Sequence, residues 1–329
     1  MKVLVTGGGG FLGFHIVKLL LAEGHEVRVL GRHRYPQVEQ LGGECYVGSV
    51  TDLPSVLQAC EGIEEVYHVA AIAGVWGEWE DYYNTNYVGT LNVIEACQTH
   101  KIPRLIFTSS PSVVFAGQSQ TGLNETTPYS SKWLTHYPKS KMMAEKAVLA
   151  VNSESLKTVA LRPHLIWGPG DNHIIPRLVT RARSGQLAVV GNGKNKVDII
   201  YVENAAKAHL QVAEELRLRG QSAGRTFFLG QKEPVVLWDF INEVLKREGL
   251  KPVTRKIPFF MAYTIGRSLE WVYRWFNRKE EPRMTRFIAC QLAKEHYYDH
   301  SLAEEVFGYD PHISVSEGLD RLYAAKGLM

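Results

Sequence analysis

The stretch Lys2-Val3-Leu4-Val5-Thr6-Gly7-Gly8-Gly9-Gly10-Phe11-Leu12-Gly13 decides the fold. Its opening is an apolar, β-branched run of strand length. Glycines at 7, 10 and 13 follow, and then comes an apolar-periodic segment, Phe14–Glu23, that reads as a helix. In such a strand–turn–helix the first glycine permits the tight turn. The second lets backbone N–H groups approach a pyrophosphate, and the third lets helix and strand pack closely. The helix N-terminus adds unpaired donors and the positive end of its dipole. Gly7, Gly10, Phe11, Leu12 and Gly13 are therefore the expected contacts of a dinucleotide. Glycines also mark plain turns, but here the flanking elements supply the context a phosphate site requires.

Outward from this motif, strand-like runs alternate with helical ones. Lys2–Thr6, Glu26–Leu30, Glu44–Val47, Val66–Val69, Leu105–Ser109 and Val159–Arg162 read as strands. Phe14–Glu23, Pro54–Ala59, Tyr87–Thr99 and Ser140–Val151 read as helices. Parallel neighbours need crossover connections, so the alternation predicts an α/β fold with a doubly wound, Rossmann-type parallel sheet. After Arg162 the pattern loosens, and Gly168-Pro169-Gly170 and Gly191-Asn192-Gly193 break the chain. The reading is a dinucleotide-binding domain over 1–165, a return of the chain to it at about 195–225, and a smaller, partly helical lid over 166–329. The lid is rich in aromatics, including Trp238, Phe259, Phe260, Trp271 and Trp275.

Composition excludes several classes. The 329 residues are 45% hydrophobic and 22% charged, as in an ordinary folded protein. Lys plus Arg number 37 and Asp plus Glu 34, a net charge of +3, which gives no electrostatic case for nucleic acid. Cys45, Cys60, Cys97 and Cys290 form no CxxC pair, so neither a disulfide framework nor a thiolate metal site is expected. The N-terminal apolar run is too short for a signal peptide and opens the glycine turn. The most apolar long stretch, Ile257–Phe276, carries Arg267, Glu270 and Arg274 and does not qualify as a membrane span. A cytoplasmic location is the default. That same stretch has two readings: a helix packed on the sheet's edge, which we prefer, or one resting on a membrane surface with Arg274, Arg278 and Lys279.

An NAD-specific site usually offers a carboxylate at the end of the second strand. Here the chain reads Val29-Leu30-Gly31-Arg32-His33-Arg34. Glycine makes room, and the Arg32 fork can pair with a 2′-phosphate, so NADP(H) is the expected cofactor, with NAD(H) second.

Of fifteen tyrosines, only Tyr137 has a lysine four residues on, Lys141, which sets both on one helix face. Ser110 stands at the carboxyl end of a predicted strand, where ligands of such sheets bind. Serine, phenol and cation together are the set for carbonyl–alcohol chemistry. A cation near the phenol is expected to draw its pKa down from near 10. The phenol then exchanges a proton with the carbonyl oxygen, which Ser110 holds.

These residues resemble the extended short-chain dehydrogenases/reductases, in particular the 3β-hydroxysteroid dehydrogenase branch. The likeness is carried by Thr6–Gly13, His68-Val69-Ala70-Ala71, Asn86-Tyr87-Val88-Gly89-Thr90, Thr108-Ser109-Ser110, Tyr137-Pro138-Lys139-Ser140-Lys141 and Arg162-Pro163-His164. It implies that Ser110, Tyr137 and Lys141 are catalytic, with Lys141 also on the nicotinamide ribose. It further implies that Ala70, Ala71 and Pro163 line the cofactor's path and that Asn86 is a structural asparagine. Where the family commonly has Gly-Asp-Leu after the third strand, this chain has Gly48-Ser49-Val50, so Ser49 and Val50 take the adenine-side positions. Val114 replaces a tyrosine of many extended members, as in steroid-type ones. A homodimer through the helices of Asn86–Thr99 and Tyr137–Val151 is also implied.

Within the branch, Ala73–Gly77 and Ile166–His173 resemble the 2-alkyl-3-oxoalkanoate reductase group of bacterial olefin synthesis, ahead of the sterol 4α-carboxylate 3-dehydrogenase group. Both act at a carbon β to a carboxylate on a bulky apolar body, so a hydrophobic small molecule is the expected substrate. His164, His173 and Arg177 are candidates to meet its carboxylate. A steroid 3β-hydroxyl dehydrogenase is the alternative. A nucleotide-sugar epimerase or dehydratase ranks lower, because Pro111 and Ser112 replace the acid pair that elimination chemistry uses.

Overall fold

The computed structural model describes residues 1–327. Seven parallel strands form its central sheet: β1 (Lys2–Thr6), β2 (Glu26–Gly31), β3 (Glu44–Val47), β4 (Glu65–His68), β5 (Arg104–Thr108), β6 (Lys157–Pro163) and β7 (Arg225–Leu229). The spatial order is β7-β6-β5-β4-β1-β2-β3, which reverses direction between β1 and β4. In such sheets ligands bind in the crevice outside the carboxyl ends at that reversal. The doubly wound expectation is met, with one strand added.

Both faces of the sheet are covered. Val3 and Val5 point to one apolar cluster and Leu4 to the other, the period of two expected of a strand buried on both sides. One face carries α1 (Phe11–Ala22); the other carries α2 (Gly89–Thr99) and α3 (His136–Ala150). A later helix, α4 (Val202–Leu218), lies on α1. Then β7 pairs with β6 in register from Arg225↔Val159 to Leu229↔Pro163.

The remaining chain builds a second apolar core around Trp167, Tyr201, Trp238, Phe240 and Ile241. Against it stand α5 (Phe259–Trp275) and α6 (Arg286–Ala293). Gly266 of α5 meets the start of α6 so closely that a Cβ there would lie 2.6 Å from the Thr285 carbonyl carbon. Glu270 adds bonds to the Arg286 backbone N–H (2.6 Å) and Nε (2.7 Å). So α5 packs on α6, and the expected packing on the sheet's edge is not what the contacts show.

One ion pair ties α3 to β6. Arg162, 2% exposed, meets the fully buried Glu145 through Nε (3.0 Å) and a second nitrogen (2.5 Å). The Tyr129 hydroxyl donates to the same carboxylate at 2.8 Å. Removing one member of a buried pair strands the other charge in a low-dielectric interior. Glu145→Ala is expected to lower stability by about 3–5 kcal/mol, read by urea unfolding.

Candidate active site

The residues expected to hold a dinucleotide stand along one edge of the sheet. In spatial order they are Pro163 at the end of β6, Ser110 after β5, Ala70 and Ala71 after β4, Gly7 after β1, Arg32 after β2, and Ser49 and Val50 after β3. Gly7 has φ +70°, and a Cβ on it would sit 2.9 Å from the Ala70 Cα. A Cβ on Gly13 would lie 2.2 Å from the Gly7 carbonyl oxygen. Both glycines are thus required by close backbone approach. At Gly10 only the Gly7 oxygen is near, at 3.2 Å, so the loop is open on its outer side. Helix α1 starts at Phe11, three residues earlier than its apolar period suggested, with no side chain capping its first N–H groups. Open backbone, uncapped donors and a helix dipole fit a pyrophosphate.

Thr6 fastens the loop to β4: its hydroxyl meets His68 Nδ1 at 2.7 Å and accepts from the Ala70 N–H at 3.2 Å. Burial holds His68 at about 3, so the ring is neutral, and its Nε2 meets the Thr90 hydroxyl at 2.9 Å.

At the β2 end, Gly31 is followed by an exposed Arg32. The Tyr35 ring lies over both Gly31 and Gly9, where an added Cβ would meet it at 2.5 Å and 2.2 Å. The spacing of Tyr35 gave no sign of this. The Ser49 hydroxyl meets that of Thr51 at 2.8 Å, beside the β2 end. Val50 is 7% exposed and packs on Gly89, so its side chain belongs to the core while its carbonyl accepts from Asn92.

Tyr137 lies in the first turn of α3 and Lys141 one turn on. The helix begins four residues before the expected Ser140; Pro138 is tolerated because first-turn N–H groups need no partner. Asn86 holds this turn in place. It sits in a π-helical turn, Tyr83–Val88, ahead of α2. Its side chain accepts from the Ile72 N–H (2.7 Å) and donates to the Ile72 carbonyl (3.0 Å) and the Ser140 hydroxyl (2.9 Å). Ser140 in turn donates to the Tyr137 carbonyl at 2.8 Å.

The electrostatics differ from the expectation of a phenol lowered by a cation. Burial raises the pKa of Tyr137, and a hydrogen bond with Ser110 opposes it. The Lys141 amine instead donates to the Thr108 carbonyl at 2.6 Å and lies 4.1 Å from the Phe107 ring centroid. Burial brings its own pKa down to about 7, against a smaller upward pull from Glu145. The amine is thus on the edge of losing the charge that the simple argument assigned to it.

A cavity of about 240 Å³ opens at the start of α3, next to Tyr137 in the chain, and is lined in part by Trp76, Tyr82, His136, Tyr273, Arg274 and Arg278. The Tyr82 and Tyr137 ring centroids are 6.4 Å apart. Arg274 rests over Trp76 and Arg278 over Tyr273, both on aromatic faces rather than on carboxylates. The expected carboxylate partners are elsewhere. His164 is buried against His296 at 2.7 Å, Arg177 is paired with Glu281, and His173 is exposed ahead of the helix Ile174–Arg183. A second, apolar cleft of about 130 Å³ lies among Leu165, Trp167, Leu178 and Phe240. No group of metal-ligating side chains occurs among the described residues.

Residues 4–259 match the 3-beta hydroxysteroid dehydrogenase/isomerase family. The chain belongs to that family. It is an extended short-chain oxidoreductase, and similarity runs through the lid as well. It is 46% identical to the 2-alkyl-3-oxoalkanoate reductase of Shewanella oneidensis, over 98% of this chain and 85% of that one. It is 33% identical to the human sterol-4-alpha-carboxylate 3-dehydrogenase, decarboxylating, over 97% of this chain and 87% of that one. Among solved structures, a UDP-glucuronic acid 4-epimerase from Bacillus cereus superposes with a TM-score of 0.77 at 22% identity, covering 100% of both chains. At that identity the likeness shows the fold alone.

In this family member the Lys141 amine provides a direct test of the geometry. Folding moves its pKa from 10.5 down to about 7, so in that window the unfolded chain binds one more proton. Its contribution to stability therefore rises with pH, by about 1.4 kcal/mol per unit at most. The stability of the parent minus that of Lys141→Met is expected to climb between about pH 7 and 10. Urea unfolding at several pH values measures it, and a flat difference would show the amine to be solvated.

Proposed function

We propose that the chain is an NADP(H)-preferring reductase. It interconverts a ketone and a secondary alcohol at a carbon β to a carboxylate, on a bulky apolar substrate. Its 46%-identical relative bears the name of such a reaction. The observation that carries the reading is the cavity at the first turn of α3, where Arg274 and Arg278 bring guanidinium groups that rest on aromatic rings, while of its two carboxylates Glu270 is taken by Arg286 and Glu78 remains. A planar fork pairs bidentately with a carboxylate. The apolar cleft near Leu165 suits an alkyl arm, whose burial contributes about 25 cal/mol per Å².

The glycine turn, the uncapped start of α1 and the Lys141 amine would hold the dinucleotide, which when bound supplies or accepts a hydride. The rest of the chemistry falls to the chain. Ser110 holds the carbonyl oxygen by a hydrogen bond. Tyr137, whose raised pKa keeps its proton at neutral pH, donates that proton to the oxygen in reduction and takes it back in oxidation. The sterol-type relative shares the carboxylate beside the reacting carbon, so a sterol 4α-carboxylate is the second reading.

A panel of substrates with NADPH tests the proposal. The parent is expected to reduce a 2-alkyl-3-oxoacid, and Tyr137→Phe to lose about 10²–10⁴ in kcat. Oxidation of a C3 steroid alcohol with NADP+, with no reduction of the oxoacid by NADPH, would reverse the order of the two readings. The cofactor choice rests on Gly31 and the exposed Arg32 in place of an acid. Arg32→Ala is expected to weaken NADPH binding about tenfold or more and leave NADH unchanged, by fluorescence titration.

A further inference from the structure

Helix α5 has a face that none of the described residues covers. Trp275 is 71% exposed, Phe260 68%, Phe276 66%, Trp271 64%, Ile265 47% and Met261 44%. At about 100° per residue these six fall within an arc of about 160°. The buried residues Ala262, Gly266 and Glu270 fall on the opposite side, against α6. Scattered apolar residues on a surface need no explanation, but a contiguous aromatic stripe does. Trp271 and Trp275 even stack on each other in the open, with centroids 5.5 Å apart.

Charge points to what covers the stripe. Residues 255–281 contain six cations, Arg255, Lys256, Arg267, Arg274, Arg278 and Lys279, and three carboxylates, Glu270, Glu280 and Glu281. Glu270 is buried and taken by Arg286, and Glu281 is paired with Arg177, which leaves Glu280 to offset the cations. Two copies meeting through this face about a twofold axis would press like charges together. An anionic lipid surface is complementary to it: basic residues meet the headgroups, and Trp and Phe enter the interface. No helix among the described residues is long and apolar enough to cross a membrane, so α5 would lie in the interfacial plane.

We propose that the outer face of α5 docks the protein on an anionic lipid surface. The inner side of the same helix, through Tyr273 and Arg274, lines the cavity at the start of α3, with Arg278 just past the helix end. Docking therefore brings one wall of that cavity to the bilayer, where a bulky apolar acid partitions. This use rests on the proposed reaction, whereas the binding does not depend on it.

Flotation of the full chain with vesicles tests it, using phosphatidylcholine with and without phosphatidylserine. The parent is expected to float with the anionic vesicles and to be released by high salt. W271S/W275S/F276S, all exposed and outside the cavity, is expected to lose about tenfold or more of the bound fraction while keeping its Tm and its turnover of a water-soluble ketone. R267E/K279E is expected to abolish the preference for the anionic vesicles. A parent that stays in the soluble fraction overturns the proposal, as does a triple variant that floats as well as the parent. Sedimentation showing a parent dimer that the triple variant dissociates would assign the face to a second copy and also overturn it. Activity is not needed for the flotation readout, so failure of the reaction assignment is seen separately.

Discussion

The molecule depends on two backbones touching where no side chain intervenes. Gly13 at the start of α1 sits so close to Gly7 that a single methyl group would strike its carbonyl, and Gly7 in turn abuts Ala70 after β4. That contact seats the N-terminus of α1 above the reversal point of the sheet. Because the loop is pinned there by Thr6 and its bonds to His68 and Ala70, the remaining strand ends fall into line beside it. Van der Waals exclusion sets the geometry, and hydrogen bonds lock it.

The same economy of space shapes the catalytic pair. A phenol and an amine one helical turn apart suggest mutual attraction, but the protein buries the amine fully and the phenol in part. Burial disfavours each charged form, raising the phenol and lowering the amine. The partners actually met are Ser110 for the phenol and the Thr108 carbonyl for the amine. Lys141 is better described as a group whose charge is set by what binds next to it than as a fixed cation. Asn86 and Ser140 carry the supporting role, tying the loop after β4 to the first turn of α3.

Much of this was legible in the sequence, for physical reasons. Glycine spacing reports backbone approach directly, and the alternation of strands and helices reports a parallel sheet, so the fold and the line of strand ends could be read in advance. Helix starts were misplaced because Phe11 and Pro138 lie in first turns, where apolar periodicity has not yet begun and proline is harmless. β7 follows the irregular segment and has no flanking alternation to mark it. The substrate side was read least well. The chemistry of His164, His173 and Arg177 suits a carboxylate, yet one is buried on His296, one is exposed and one is neutralised by Glu281. Arg274 in α5 and Arg278 just past its end lie more than 130 residues along the chain from Tyr137, and nothing local marks such a meeting.

The lateness of β7 has a consequence for how the molecule is made. The sheet is closed by a strand that follows β6 by more than 60 residues, and the segment between them contributes Trp167 and Tyr201 to the other core. Leu229 and Phe227 share their cluster with Phe307, further still along the chain. During synthesis, then, the nucleotide-binding half cannot finish before most of the lid has been translated, because its outer strand comes after part of the lid and Phe307, which packs on that strand, comes after nearly all of it. Loop-closure entropy makes such distant pairings slow, and the edge of β6 stays open for that interval. The two halves are interwoven in chain order, so maturation of one is tied to completion of the other.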